Sequence, residues 1–208
     1  MGRKLQKLEI LHVTDLHYQK KLYRWIAKVE DRFDLICLTG DLLDERANDA
    51  GKKQIRYLKR WLAKRKMPVM ICSGNHDYVK ESIDWMKDLP YGDGQIHPIL
   101  GLKIASAPED CRDFRPYYDC DILLHHYPPK GTPTAFHRKK GKDVGSKWLA
   151  QELPNLRCQL LLTGHAHRPL LPIFVRHGIK IYNSGGDHAP KQPKYSHITY
   201  YFPKNKRC

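Results

Sequence analysis

The sequence predicts a layered α/β protein folded as a single domain. Apolar runs of strand length alternate with stretches of helical periodicity through most of the 208 residues. No repeat, low-complexity block or Ser/Gly linker divides them. A chain of this length fills one sizeable core and is short for two, so residues 1–208 are expected to form one domain.

Taken in order, the expected elements begin with a strand at 8–14 (LEILHVT), a helix at 21–33, a strand at 35–39 (LICLT), a helix at 52–66 and a strand at 69–73 (VMICS). These three strands are nearly all apolar, as strands covered on both faces should be. In the second helix Ile55, Leu58 and Leu62 form one stripe for the core, and Pro68 ends the segment. A short helix is expected at 82–89, strands at 102–107 and 121–125, a helix at 144–153 and a strand at 159–163. Strands at 172–176 and 179–183 are joined by His177-Gly178, a tight hairpin signal, and a last strand spans 197–202. The second half is therefore expected to add an antiparallel sheet to the parallel one of the first half. Segment 126–142 (HYPPKGTPTAFHRKKGK) reads as a loop, and loops that long are often functional.

Lys and Arg number 37 against 22 acidic residues, a formal charge of +15. That excess favours polyanionic company: nucleic acid, phosphorylated metabolites or an anionic membrane surface. The helix at 52–66 holds eight of these cations, but on the outside of a sheet they read as a solvated face rather than a docking site. Cysteines 37, 72, 111, 120, 158 and 208 show no CxxC spacing, so reduced packing residues are expected rather than a zinc ribbon or a disulfide frame. The opening MGRKLQKLEILHVTDLH lacks an apolar stretch of signal length, and no run approaches membrane-spanning length; a cytoplasmic protein is expected.

The chemistry gathers at strand exits. VTDLH carries Asp15 and His17, LTGDLLD carries Asp41, CSGNHD carries Asn75, His76 and Asp77, LLHHYPP carries His125 and His126, and LTGHAH carries His165 and His167. In an extended segment residues two apart share a side, so Asp15 with His17, and His165 with His167, would each face one cavity. Glycine before Asp41, Asn75 and His165 permits a sharp turn or a close approach. One GD or GN dipeptide is an ordinary turn. Five strand exits rich in Asp, Asn and His point instead to a shared metal site at the carboxyl ends of the strands. Carboxylate, amide and imidazole donors without thiolate suit divalent Mn, Fe or Zn.

Read in order, DLH, GD, GNHD, HHYPP and GHAH resemble the ordered motifs of the calcineurin-like metallophosphoesterases over residues 8 to 186. The resemblance implies a four-layer α/β/β/α sandwich with two metals. One would be held by Asp15, His17 and His167, the other by Asn75, His165 and His126, with Asp41 bridging. The family's H-x-P-P spacing selects His126, with His125 as the alternative. Two cations about 4 Å apart acidify a bridging water and neutralise charge in an in-line displacement. His76 would protonate the leaving group, oriented by Asp77.

The stretch after HHYPP is also similar to small single-domain phosphodiesterases of the family, which implies phosphodiesters, such as cyclic nucleotides, as substrates. A metal-dependent nuclease, a phosphomonoesterase and a non-catalytic metal-containing binding module are the alternatives. Arg138, Lys139, Lys140 and Lys142 could grip phosphate or form a solvated loop, and Arg168 could reach substrate or solvent. The oligomeric state is not readable from the sequence.

Overall fold

A computed structural model describes residues 5–44, 51–186 and 192–204. The first-half elements are β1 (Leu5–Val13), α1 (Lys20–Val29), β2 (Leu35–Thr39), α2 (Gly51–Leu62), β3 (Val69–Cys72), β4 (Gln95–Ile99) and β5 (Leu102–Ser106). They are followed by β6 (Ile122–Leu124), β7 (Phe136–His137), β8 (Lys142–Asp143), α3 (Lys147–Glu152), β9 (Leu160–Thr163), β10 (Ile173–Arg176), β11 (Ile179–Asn183) and β12 (Tyr195–Pro203).

Two larger sheets result, ordered β12-β1-β2-β3 and β10-β11-β9-β6-β5-β4. In the first, β1, β2 and β3 run parallel and the last strand returns antiparallel against β1. The second is mixed rather than antiparallel. Its centre, β11-β9-β6-β5, is parallel, and only the edge strands β10 and β4 run the other way. The His177-Gly178 turn correctly marks a hairpin, since both residues have positive φ, but it sits at the sheet's edge and says nothing of its centre.

Alternation along the strands sorts the interior into three apolar clusters. Leu11, Val13, Ile36, Leu38 and Ile71 pack with Leu22, Tyr23 and Ile26 of α1 and Leu58 and Trp61 of α2. The neighbouring residues Leu8, Ile10, Cys37 and Met70 point the other way, against Ile104, Ile122, Leu124 and Leu162 of the second sheet. On that sheet's far face Leu123, Leu161 and Ile181 meet Leu149 of α3 and Phe114. The expected stripe of α2 faces this core, with Leu58 buried and Ile55 and Leu62 packed against it. Most of its cations are exposed, but Arg65 lies over the Trp61 ring and pairs with Glu30 at 3.2 Å, tying the end of the helix to the turn after α1.

Residues 82–89 do not form an α-helix; only a 3-10 turn at Asp84–Met86 appears. Ser82 supplies the reason. Its hydroxyl accepts the Asp84 N–H at 3.1 Å and donates to the Asp84 carboxylate at 2.9 Å, local bonds that compete with helix initiation, and Pro90 lies close behind. Strand β4 was not expected from QIHPI, where Pro98 and half-exposed alternation mark an edge. Inside the long loop 126–142, β7 pairs with β8 as a small antiparallel ribbon. Among the described residues the five cysteines are free thiols, and no helix is long and apolar enough to cross a membrane; Cys208 lies outside them.

Candidate metal centre

The parallel strands of both sheets deliver their carboxyl ends to one edge, and the site forms there. The backbone reaches it differently from the expectation. β1 stops at Val13 and β9 at Thr163, so neither Asp15 with His17 nor His165 with His167 sits on a strand. Asp15 (φ 55°), His17 (φ 42°), Asp41 (φ 53°) and His165 (φ 61°) all adopt left-handed backbone. Such conformations cost side-chain-bearing residues on the order of 1–3 kcal/mol each and persist only where the surroundings hold them. Here the loops after β1 and β2 hold each other: the N–H groups of Asp15, His17 and Tyr18 donate to the carbonyls of Gly40, Asp41 and Leu42 at 3.1, 2.8 and 2.9 Å.

These turns bring two groups of donor atoms together. Asp15, His17, Asp41 and His167 form one, and Asp41, His126 and His165 form the other; within each, the donor atoms lie within 4.8 Å of one another. Asp41 belongs to both. Its Oδ2 lies 3.8 Å from His17 Nε2, and its Oδ1 lies 3.4 Å from His126 Nε2. His167 Nε2 is 3.1 Å from Asp15 Oδ1 and 3.3 Å from His17 Nε2. Asn75 joins the second group through Oδ1, 3.2 Å from His126 Nε2.

The neighbouring histidines at 125 and 126 separate clearly. His126 donates Nδ1–H to the Thr39 carbonyl at 2.8 Å, a bond that leaves Nε2 as the atom presented to the cluster. His125 points the other way, edge-on to Phe114 with ring centroids 5.2 Å apart, and burial pushes its pKa down to about 3. For His126, burial works against the charged form, but the Asp41 carboxylate, joined by Asp15 and the Thr39 carbonyl, raises the pKa to about 10. Burial likewise raises Asp41, yet His126 and His17 hold it ionised, well below the usual carboxylate range. His165 is driven down to about 3 by burial first and by His126 second.

Glycine is needed at two of the close approaches. A Cβ on Gly74 would collide with the backbone nitrogen and carboxylate of Asp41, and one on Gly164 with the Thr14 hydroxyl. Either substitution would push a loop out of the cluster.

His76 and Asp77 behave differently from each other. His76 donates its backbone N–H to Asp41 Oδ1 at 2.9 Å, its ring stands edge-on to His17 at 4.9 Å, and its side chain keeps 24% exposure. Asp77 is completely buried, and its carboxylate accepts backbone N–H groups from Leu42 at 2.7 Å, Leu43 at 2.9 Å and Gly74 at 2.8 Å. It was expected to orient the His76 ring; its oxygens instead pin the two loops that carry Asp41 and Asn75. Asp77→Asn should turn an amide N–H toward at least one of these donors and cost about 1–3 kcal/mol. Urea unfolding at pH 7 checks this, and an unchanged midpoint would refute the clamp.

Glu109, which carries no signal in the linear sequence, braces the other side. It accepts Tyr127 O–H at 2.8 Å and Tyr78 O–H at 3.0 Å, and the Tyr127 ring packs 4.4 Å from the His165 ring. Of the basic residues singled out, Arg138, Lys139 and Arg168 line one groove with Lys194, Ser184, Pro169 and Pro172, about 630 Å³ in volume. Lys140 is not part of that lining. It sits in the turn between β7 and β8, where its N–H reaches His137, and Lys142 lies on β8. A second cleft, beside His76, is lined by Tyr78, Lys80, Asp44 and Gln54.

The donor set fits divalent cations. Imidazole nitrogens and carboxylate oxygens converge within 4.8 Å of one another in each group, with the Asn75 amide oxygen beside the second, the donor types such ions take. Comparison with known proteins agrees. The profile of the calcineurin-like phosphoesterases matches residues 8–169, and the chain belongs to that family. It is a metallophosphoesterase, of a dimetal-dependent family of phosphoester hydrolases. Similar solved structures include TT1561 of Thermus thermophilus, at 15% identity with 86% of this chain and 90% of that one covered and a TM-score of 0.60. A dimetal phosphatase from Danio rerio aligns at 10% identity over 94% of this chain and 93% of its own, with a TM-score of 0.58. At such identities the likeness is one of fold.

Proposed function

We propose that this protein is a dinuclear-metal phosphodiesterase acting on diesters that include cyclic nucleotides. The observation that carries the reading is Asp41, whose two oxygens face one imidazole from each donor group, His17 and His126. Asp15, His17 and His167 would hold one ion and Asn75, His126 and His165 the other, with Asp41 shared. Divalent Mn, Fe or Zn bound there supplies Lewis acidity and an acidified water.

The remaining work falls to the chain. Asp77 and the paired loops keep the ligands in place before substrate arrives, so little reorganisation accompanies binding. His76, with its backbone anchored to Asp41 and its ring partly open to solvent, is positioned to hand a proton to the leaving oxygen. The cleft beside His76 and the groove at Arg168 give a phosphorus at the centre room for two substituents, which favours a diester over a monoester. Free thiols are consistent with a reducing, cytoplasmic setting.

Hydrolysis of 2′,3′- and 3′,5′-cyclic nucleotides, linear DNA and RNA, and phosphomonoesters after reconstitution with each metal tests the proposal. Diesters should exceed monoesters by about tenfold or more in kcat/KM, a difference of ~1.4 kcal/mol at the transition state. Inactivity on every ester with two equivalents of metal bound would overturn it.

A further inference from the structure

The groove lined by Arg138, Lys139, Arg168 and Lys194 is more than a loose basic loop. The Arg138 N–H donates to the Arg168 carbonyl at 2.9 Å, and His137 bridges to Pro169, so the ribbon carrying Arg138 and Lys139 is fastened to the segment carrying Arg168. The opposite wall is fixed too. Ser184 Oγ contacts His12 Nδ1 at 3.0 Å and Ser196 Oγ at 2.9 Å, while the buried His12 holds Thr39 with its other nitrogen at 2.9 Å.

The groove neighbours the metal centre along the chain. Arg168 follows His167 in sequence, and the Gly186 N–H donates to the His167 carbonyl at 3.0 Å. Gly186 also lies so close to Asp15 that a Cβ there would press on the Asp15 side chain. Four cations from three separate segments therefore share one concave surface. Guanidinium and ammonium groups in such a setting match a phosphate's oxygens in charge and geometry.

We infer that this groove is a subsite for a second phosphate, so that the preferred substrate carries a phosphate group beyond the one being cleaved. The inference rests on the phosphodiesterase reading for the scissile group and narrows it, since a simple cyclic mononucleotide has no second phosphate to place in the groove. Two sources share the required chemistry: an oligophosphate chain and the next phosphate of a nucleic-acid backbone.

Two substrate pairs, each differing by one phosphate, separate the sources. The dinucleotide TpT is compared with pTpT for the backbone, and the p-nitrophenyl ester of TMP with that of TDP for the oligophosphate. In the metal-reconstituted enzyme at least one pair should show a preference of about tenfold or more in kcat/KM for the member with the extra phosphate, and Arg138→Ala/Arg168→Ala should shrink that ratio to about twofold or less. Calorimetric titration of metal-free protein with inorganic pyrophosphate supplies a readout independent of turnover. Binding should weaken about tenfold in the double variant, and Lys139→Ala/Lys194→Ala serves if the first variant does not fold.

Equal rates within both pairs, a preference that survives in a folded variant, or pyrophosphate binding indifferent to these residues would overturn the subsite. Hydrolysis without preference would sink the subsite and leave the phosphodiesterase standing. Groove-dependent pyrophosphate binding in a protein that cleaves no ester would support the subsite and remove the hydrolase.

Discussion

Asp41→Asn is expected to lower turnover by about a thousandfold or more, some 4 kcal/mol of activation free energy, and to leave at most one equivalent of tightly held metal. The substitution is gentle to the fold. An asparagine Oδ1 can still accept the His76 N–H that now reaches Asp41 at 2.9 Å. The other atom becomes an amide nitrogen pointed at His17 Nε2, currently 3.8 Å from a carboxylate oxygen, and an N–H is no ligand. Elemental analysis of the purified variant and steady-state kinetics on an activated diester test the two halves together. A variant with two equivalents of metal and wild-type turnover would show that Asp41 does not bridge.

The second large effect concerns proton delivery. His76→Gln should retain both metals, because the histidine's tie to Asp41 runs through its backbone N–H and survives the change of side chain. Turnover on esters with poor leaving groups should fall by about 10²–10⁴, the usual worth of general acid catalysis. With p-nitrophenolate, which departs without a proton, the loss should be less than about tenfold. A series of aryl esters of graded leaving-group pKa displays the difference as a steeper dependence in the variant. Equal losses across the series would count against the acid role.

Much of this site could be read along the chain because its ingredients are local. Each candidate ligand follows a strand whose apolar run is continuous, and each strand from β1 to β9 that was expected to lead into the site does so. Asp15 with His17, and His165 with His167, do reach one cluster, but through left-handed turns at Asp15, His17 and His165 that alternation along a strand does not foretell. Sequence spacing could not reveal the clamp made by Asp77 either, since its partners Leu42 and Leu43 lie 35 and 34 residues away. Glu109, Tyr78, Ser184 and Lys194 were invisible for the same reason: each is an ordinary surface-type residue until the fold brings its partners. The expected antiparallel second sheet extends one hairpin at the edge to strands whose parallel pairing spans long connections.

The division of the donor groups between the sheets has a further consequence. Asp15, His17, Asp41 and Asn75 leave the first sheet, while His126, His165 and His167 leave the second. Each group therefore straddles the seam, and neither half of the chain owns a working set of donors. Such a centre cannot be inherited piecemeal: a fragment, a duplicated half or a shuffled sheet would carry motifs without a site. The chemistry belongs to the join between the halves.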